Sequence, residues 1–258
     1  MAEFPSYAVV GRGRWAGVMH RILTGEGRSV SVTADARQRQ GESDPEYMGR
    51  LAADLNFSGA QVAWICVPPG AHVPFLLRAA LDAGVHAVVE KPWLCERGDT
   101  EAVAERARSR GLVVGIHYEF CLLDGVTAWR REFANAEGLE FGGRFLTSKA
   151  ARRETSALDD LGSHLFSIRE YAAPRTRVAE IECAYGMPDE RRVWLTRSGK
   201  VHAPINFTAN TEPIVQRFIG LFERAVTAGE SFPFGLEFAM RVADASREWR
   251  GQRNRVSD

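Results

Sequence analysis

The first 120 residues alternate short apolar runs with amphipathic stretches. Tyr7-Ala8-Val9-Val10 is a continuous apolar run that ends in glycines, as a buried parallel strand does. A helix is predicted from there to about Leu23, where Gly25-Glu26-Gly27 breaks it. Ser29 to Ala34 reads as a second strand and Tyr47 to Leu55 as helix. Val62 to Val67 is a second fully apolar run, stopped by Pro68-Pro69-Gly70. His72 to Ala83 places Val73, Leu76, Leu77, Ala80 and Leu81 at helical spacing, with Gly84 as its C-terminal cap. Val85 to Val89 is a strand, Thr100 to Arg110 a helix capped by Thr100, and Leu112 to Ile116 a further strand. Strand and helix in alternation, with short links, predict an α/β domain built on a parallel sheet over residues 1–120.

The pattern changes after residue 120. Val126 to Ala134 reads as helix, Leu139 to Thr147 and Val178 to Ala184 as strands. Arg192 to Thr196 and Val201 to Phe207 flank Ser198-Gly199, a hairpin turn signal. Two helices follow, about Glu212 to Ala228 and Leu236 to Trp249. Strands grouped together and then helices predict a smaller α+β domain over 121–258, with a mainly antiparallel sheet.

Chemistry enters at the first strand's end. Gly11-Arg12-Gly13-Arg14-Trp15-Ala16 is GxGxxA between a strand and a helix. Gly11 permits the tight turn, Gly13 lets the backbone approach a pyrophosphate, and Ala16 keeps helix and strand close. The helix that starts at Arg14 turns its positive end toward the phosphates. The arrangement predicts a Rossmann-type dinucleotide site. Asp35, at the end of the second strand, suits the adenosine ribose of NAD, whereas Arg37 suits the 2′-phosphate of NADP. Trp15 packs either on the adenine side or on Pro68. Pro68 shapes the loop over the cofactor, and His72 is a cofactor-loop or capping residue.

Val88-Val89-Glu90-Lys91-Pro92 puts a charged pair at the carboxyl end of a buried strand, the edge where open α/β sheets bind ligands. Neighbours on a strand point to opposite faces, which makes a Glu90–Lys91 ion pair awkward. Tyr118 follows the last strand of this domain at the same edge and is a candidate pocket residue. Trp93 either faces substrate or plugs a domain seam. Arg152-Arg153-Glu154 reads as a loop.

The GRGRWA turn, Val67-Pro68-Pro69-Gly70-Ala71-His72, Ala79-Ala80-Leu81-Asp82-Ala83-Gly84-Val85-His86 and Glu90-Lys91-Pro92 together resemble the Gfo/Idh/MocA oxidoreductases, the glucose-fructose oxidoreductase and inositol dehydrogenase family. The resemblance covers about residues 5–120 and resumes at Asp160-Leu161-Gly162-Ser163-His164, similar to the family's DxGxH segment. It implies NAD or NADP as cofactor, held by Gly11, Gly13, Arg14, Trp15, Ala16, Asp35, Arg37, Pro68, His72, Glu90 and Lys91. It implies that Lys91 contacts nicotinamide and substrate oxygen, with Asp160 and His164 completing the catalytic and substrate-binding set. Hydride transfer at a carbon–oxygen bond needs a base for the hydroxyl proton, which an imidazole supplies near neutrality. A cation steadies the developing alkoxide. Asp160 and His164 are four apart and share one helix face; Asp160 is also a candidate helix cap. Ser167 stands where many members carry an acid or amide, and the second domain is shorter in sheet than the family's usual one. Two other readings share these motifs: an imine or tetrapyrrole-type reductase, and a non-catalytic dinucleotide-binding regulator.

Composition narrows the classes. Of 258 residues, Lys+Arg number 33 and Asp+Glu 33, so the formal charge is zero and nothing drives non-specific binding to nucleic acid or acidic membranes. Only Lys91, Lys149 and Lys200 are lysines, which makes Lys91 conspicuous. Cys66, Cys95, Cys121 and Cys183 form no metal-like pair and predict reduced thiols in a cytoplasmic protein without a metal. No signal peptide or membrane-spanning run is read. The partners expected are a small-molecule substrate and a second copy of the chain, through the alternation Val193, Leu195 and Val201, Ala203.

Overall fold

In the computed structural model, residues 4–34, 36–70, 72–151, 155–207 and 211–254 are described. Asp35, Arg152, Arg153 and Glu154 lie outside them.

Five strands make the first sheet: β1 (Tyr7–Val10), β2 (Val30–Ala34), β3 (Val62–Ile65), β4 (His86–Glu90) and β5 (Val114–His117). They pair in parallel in the order β2-β1-β3-β4-β5. Every residue of β1, β3 and β5 is buried, which is why these strands read as unbroken apolar runs rather than alternating ones. Helices α1 (Arg14–Gly25), α2 (Asp44–Ser58), α3 (Val73–Asp82) and α4 (Arg97–Ser109) link them. The chain leaves β1 toward β2 on one side and resumes at β3 on the other. That reversal opens a crevice at the carboxyl ends of β1 and β3. Gly84, at φ 75°, ends α3 as predicted.

Thr100 is not the cap of α4. The helix starts at Arg97 with Glu96 as its cap residue, and Thr100 sits one turn in. Its hydroxyl donates to the Glu96 carbonyl (2.8 Å) and accepts the Trp93 indole N–H (3.1 Å). A threonine inside a helix can bond back to the carbonyl four residues earlier, so its presence does not mark a terminus. Trp93 is thereby buried against its own domain's helix.

The second sheet contains β6 (Glu140–Thr147), β7 (Arg177–Tyr185), β8 (Glu190–Arg197) and β9 (Lys200–Asn206) in the order β7-β6-β8-β9. The β6–β7 pair is parallel and the other two are antiparallel. A 3-10 helix (Glu119–Leu122) and the helices α5 (Asp124–Phe133), α6 (Ala157–Asp160) and α7 (Gly162–Ala172) accompany it. The β8–β9 turn has Ser198 at φ 50° and Gly199 at φ 76°, the two positive values that a tight hairpin demands. Val193 and Leu195 do not continue into an apolar outer stripe. Both are fully buried, while Val201 is 60% exposed. The register slips between Val193 and Leu195, so Val201 pairs with Thr196, whose side chain points to the other face.

Two more helices, α8 (Glu212–Ala228) and α9 (Leu236–Asn254), complete the described chain. Contacts divide the chain into two compact units. One runs to His117 and takes in Ile219–Glu237; the other holds Tyr118–Phe218 and the chain from Phe238 onward. A single division at residue 120 leaves out this return to the first unit. The returning segment is bound tightly there. Ile116 N–H donates to the Phe234 carbonyl (2.8 Å), which covers the outer edge of β5. Gly115 lets Phe222 and Phe232 lie against the sheet, since a Cβ there would come within 2.7 Å of the Phe232 ring.

Candidate active site

The phosphate turn is built by backbone geometry. Gly11 has φ 122°, and a Cβ on it would stand 2.4 Å from the Cys66 carbonyl oxygen at the end of β3. Only glycine lets the two strand ends approach this closely. Gly13 is different. Its backbone is extended (φ −73°, ψ 171°), and a Cβ there would meet no protein atom within 4 Å. The open space lies in front of α1, which begins with no side-chain cap and no acidic residue in its first turn. N–H groups, a positive helix end and room beside a glycine suit a diphosphate. Ala16 is buried, as close packing of helix and strand requires, and Arg14 is exposed in the first turn.

Trp15 is half-buried with its ring 6.1 Å from that of His117, over the end of β5. Neither the adenine nor the Pro68 expectation named this neighbour. Pro68 is exposed. His72 is exposed at the residue before α3 and makes no side-chain cap; its imidazole instead lies over Gly70. Arg37 is exposed on a loop latched by Arg50, which donates to the Arg37 carbonyl (3.1 Å) and pairs with Glu42 (2.8 Å).

Glu90 ends β4 and Lys91 follows it, half-buried. The Glu90 carboxylate accepts the Trp64 indole N–H (2.8 Å) and His117 Nδ1 (3.1 and 3.3 Å). Burial pushes its pKa up. The charge of His117 and hydrogen bonds from His117 and Trp64 outweigh that and hold it below the usual carboxylate range.

In the second unit, Asp160 closes α6 and His164 lies in the first turn of α7. Leu161 between them keeps helical torsions (φ −82°, ψ −39°), so the four-residue spacing still places both on one side. Asp160 is not the helix cap; Ser156 is, accepting the Asp159 N–H (3.1 Å). Asp160 is buried and accepts a hydrogen bond from the Tyr185 hydroxyl (2.5 Å). His164 is buried in an aromatic box, stacked on Phe145 (5.3 Å) and edge-on to Phe120 (4.6 Å). Gly162 is required by packing, since a Cβ there would stand 2.9 Å from Leu158. Tyr118 is 1% exposed with its ring against Phe238, within the second unit. Its position after β5 suggested the ligand edge, but the chain turns into the second unit there.

The structure brings Tyr185 to Asp160, and Trp64 and His117 to Glu90, contacts that no sequence motif marks. Tyr185 lies 25 residues from Asp160 on another element, so no local spacing pointed to it. Among the described residues, no group of three or more His, Cys, Asp or Glu is placed to hold a metal ion. No described helix is long and apolar enough to cross a membrane.

A family model described as an oxidoreductase family with an NAD-binding Rossmann fold matches residues 6–118. Over those residues the chain is similar to the Gfo/Idh/MocA oxidoreductases. A curated relative is the uncharacterized oxidoreductase YfiI of Bacillus subtilis, 22% identical over 218 residues. The match takes in 69% of this chain, and the chain spans 55% of the length of that relative. Among solved structures, the fold is shared with the WlbA (WbpB) dehydrogenase of Thermus thermophilus, in complex with NAD and UDP-GlcNAcA. That comparison has TM-score 0.72 and 15% identity, covering 94% of this chain and 93% of that one. UDP-N-acetylglucosamine 3-dehydrogenase GnnA of Acidithiobacillus ferrooxidans gives TM-score 0.76 at 14% identity, over 96% and 97%. GenD2 from gentamicin A biosynthesis, in complex with NAD, gives 0.72 at 17%, over 96% and 93%. The Gfo/Idh/MocA match ends just past β5, whereas the fold likeness takes in the second sheet as well.

Proposed function

We propose that this protein is an NAD(P)-dependent oxidoreductase that moves hydride to or from a hydroxyl or carbonyl carbon of a small polar metabolite: a sugar, a cyclitol or a secondary-metabolism intermediate. The observation that carries it is the phosphate turn. Gly11 closes on β3, Gly13 leaves open space, and α1 begins uncapped at the switch point of the sheet. Sugar nucleotides in neighbours of the same fold support the substrate class. A bound nicotinamide nucleotide supplies the hydride acceptor or donor. The chain's own groups do the rest. His164 takes the hydroxyl proton during oxidation and returns it during reduction. The Lys91 ammonium steadies negative charge on the substrate oxygen. Asp160, held by Tyr185, orients His164 or a substrate hydroxyl. Binding of NAD in preference to NADP, cytoplasmic location and assembly with further copies of the chain belong to the same proposal. The experiment is titration with NADH and NADPH, followed by turnover of sugar-nucleotide and cyclitol substrates. Lys91→Ala and His164→Ala are each expected to lose at least about a hundredfold in kcat/KM, with nucleotide binding kept in His164→Ala and weakened in Lys91→Ala. Full activity in both would overturn the assignment.

A further inference from the structure

The Glu90 carboxylate is gripped by two side chains to which the reaction above gives no task. Glu90 and His117 are register partners on β4 and β5, so their side chains leave the sheet on the same face. His117 is fully buried and directs Nδ1 between the two carboxylate oxygens (3.1 and 3.3 Å). Trp64, from β3, donates to the same carboxylate (2.8 Å) and stands edge-on to the imidazole at 5.2 Å. Trp15, from the first turn of α1, brings its ring 6.1 Å from His117. Three neighbouring strands, β3, β4 and β5, therefore meet at one charged group, with α1 packed on its His117 partner.

We propose that His117 is a positioning residue for the nicotinamide-nucleotide site, acting through Glu90 to fix the turn that carries Lys91. The proposal rests on the oxidoreductase reading. Its physical basis is that an ionised carboxylate is costly to bury and is kept so only by partners that repay desolvation. Here the repayment comes from Trp64 on β3 and His117 on β5. Lys91 follows Glu90 directly, in the bend after β4, so holding Glu90 fixes where that bend begins. The Glu90 charge is felt in turn by the Cys66 thiol at the end of β3, which burial first and then that charge push up. Removing His117 frees the β4 end and disturbs Lys91 and Trp15 together.

The test uses the full chain. NADH and NADPH are titrated into the wild type, E90Q, H117F, H117Q and the double variant E90Q/H117F, each with a thermal melt. E90Q and H117F are each expected to weaken the better-bound nucleotide by about tenfold. The double variant is expected to be no weaker than the poorer single one, because both changes break one contact. H117Q keeps an N–H donor and is expected within about threefold of wild type. If H117F does not fold, H117Q and E90Q/H117Q carry the cycle, and a tenfold loss from H117Q in both backgrounds overturns the proposal. Wild-type affinity in a folded H117F, or losses that multiply in the double variant, also overturn it. A wild type that binds neither nucleotide overturns the oxidoreductase reading itself, a different and recognisable failure.

Discussion

Gly11 and Gly13 stand two apart in one motif, yet different physics requires each. At Gly11 the backbone sits at φ 122° and the missing Cβ would strike the Cys66 carbonyl, so Gly11→Ala strains the fold itself. Its expected cost is about 1–3 kcal/mol or more, with nucleotide binding lost, read from a urea melt. At Gly13 the backbone is ordinary and the space is open. Gly13→Val is therefore expected to melt within about 3 °C of wild type while binding NADH at least about tenfold more weakly, since its side chain fills the room left for phosphate. Equal loss of stability in both variants would contradict this division. The motif was legible in the sequence because the reasons are local. The grip on Glu90 was not, because only the order and register of strands bring Trp64 and His117 beside it. Nor was the Tyr185–Asp160 bond, which depends on a strand packing beside α6.

Among elements, the second half of α8 is the firmest addition to the parallel sheet. Glu223 is buried and takes a bidentate hydrogen bond from Arg28 (2.5 and 2.8 Å) and one from the Tyr7 hydroxyl (3.0 Å). Removing one member leaves a buried charge uncompensated. Glu223→Ala is thus expected to cost about 3–5 kcal/mol in urea unfolding, while Arg28→Met with Glu223→Leu recovers more than half of it. A loss below about 1 kcal/mol in the single variant would show the pair to be dispensable. The loop between β2 and α2 makes a pH prediction. Hydrogen bonds from the Arg50 side chain and the Arg39 backbone N–H lower the Glu42 pKa to about 2. Because the folded value lies below the ordinary 4.5, its contribution is present above about pH 4.5 and is lost as pH falls toward about 2. Carboxyl NMR of the folded protein is expected to find Glu42 still ionised at pH 3.5, and a midpoint above 4 would refute the latch. Helices and strands in this half were readable from periodicity, since α1 and α3 each show one apolar face and glycine stops. Thr100 misled because a capping residue type also fits one turn inside.

At the level of the whole molecule, contacts and chain order disagree. The apolar pattern divides near residue 120, yet Ile219–Glu237 belongs with the first unit. No local signal marks it. Phe222, Phe232 and Phe234 look like any helix-and-loop aromatics until Gly115 and the edge of β5 are known to receive them. A fragment of residues 1–120 therefore lacks the cover of β5 and the partner of Arg28 and Tyr7. It is expected to bind ANS and to give a broad, weakly cooperative melt, whereas the full chain melts sharply. A sharp melt and NADH binding by the fragment would disprove this dependence.

The same feature sets a schedule for synthesis. About 100 residues, Tyr118–Phe218, are made between β5 and the segment that completes its unit. At roughly 5–20 residues per second that is a wait of about 5–20 s. Throughout it the nascent sheet exposes the bare edge of β5 and an arginine without its carboxylate, and chaperones that shield strand edges have their longest opportunity then.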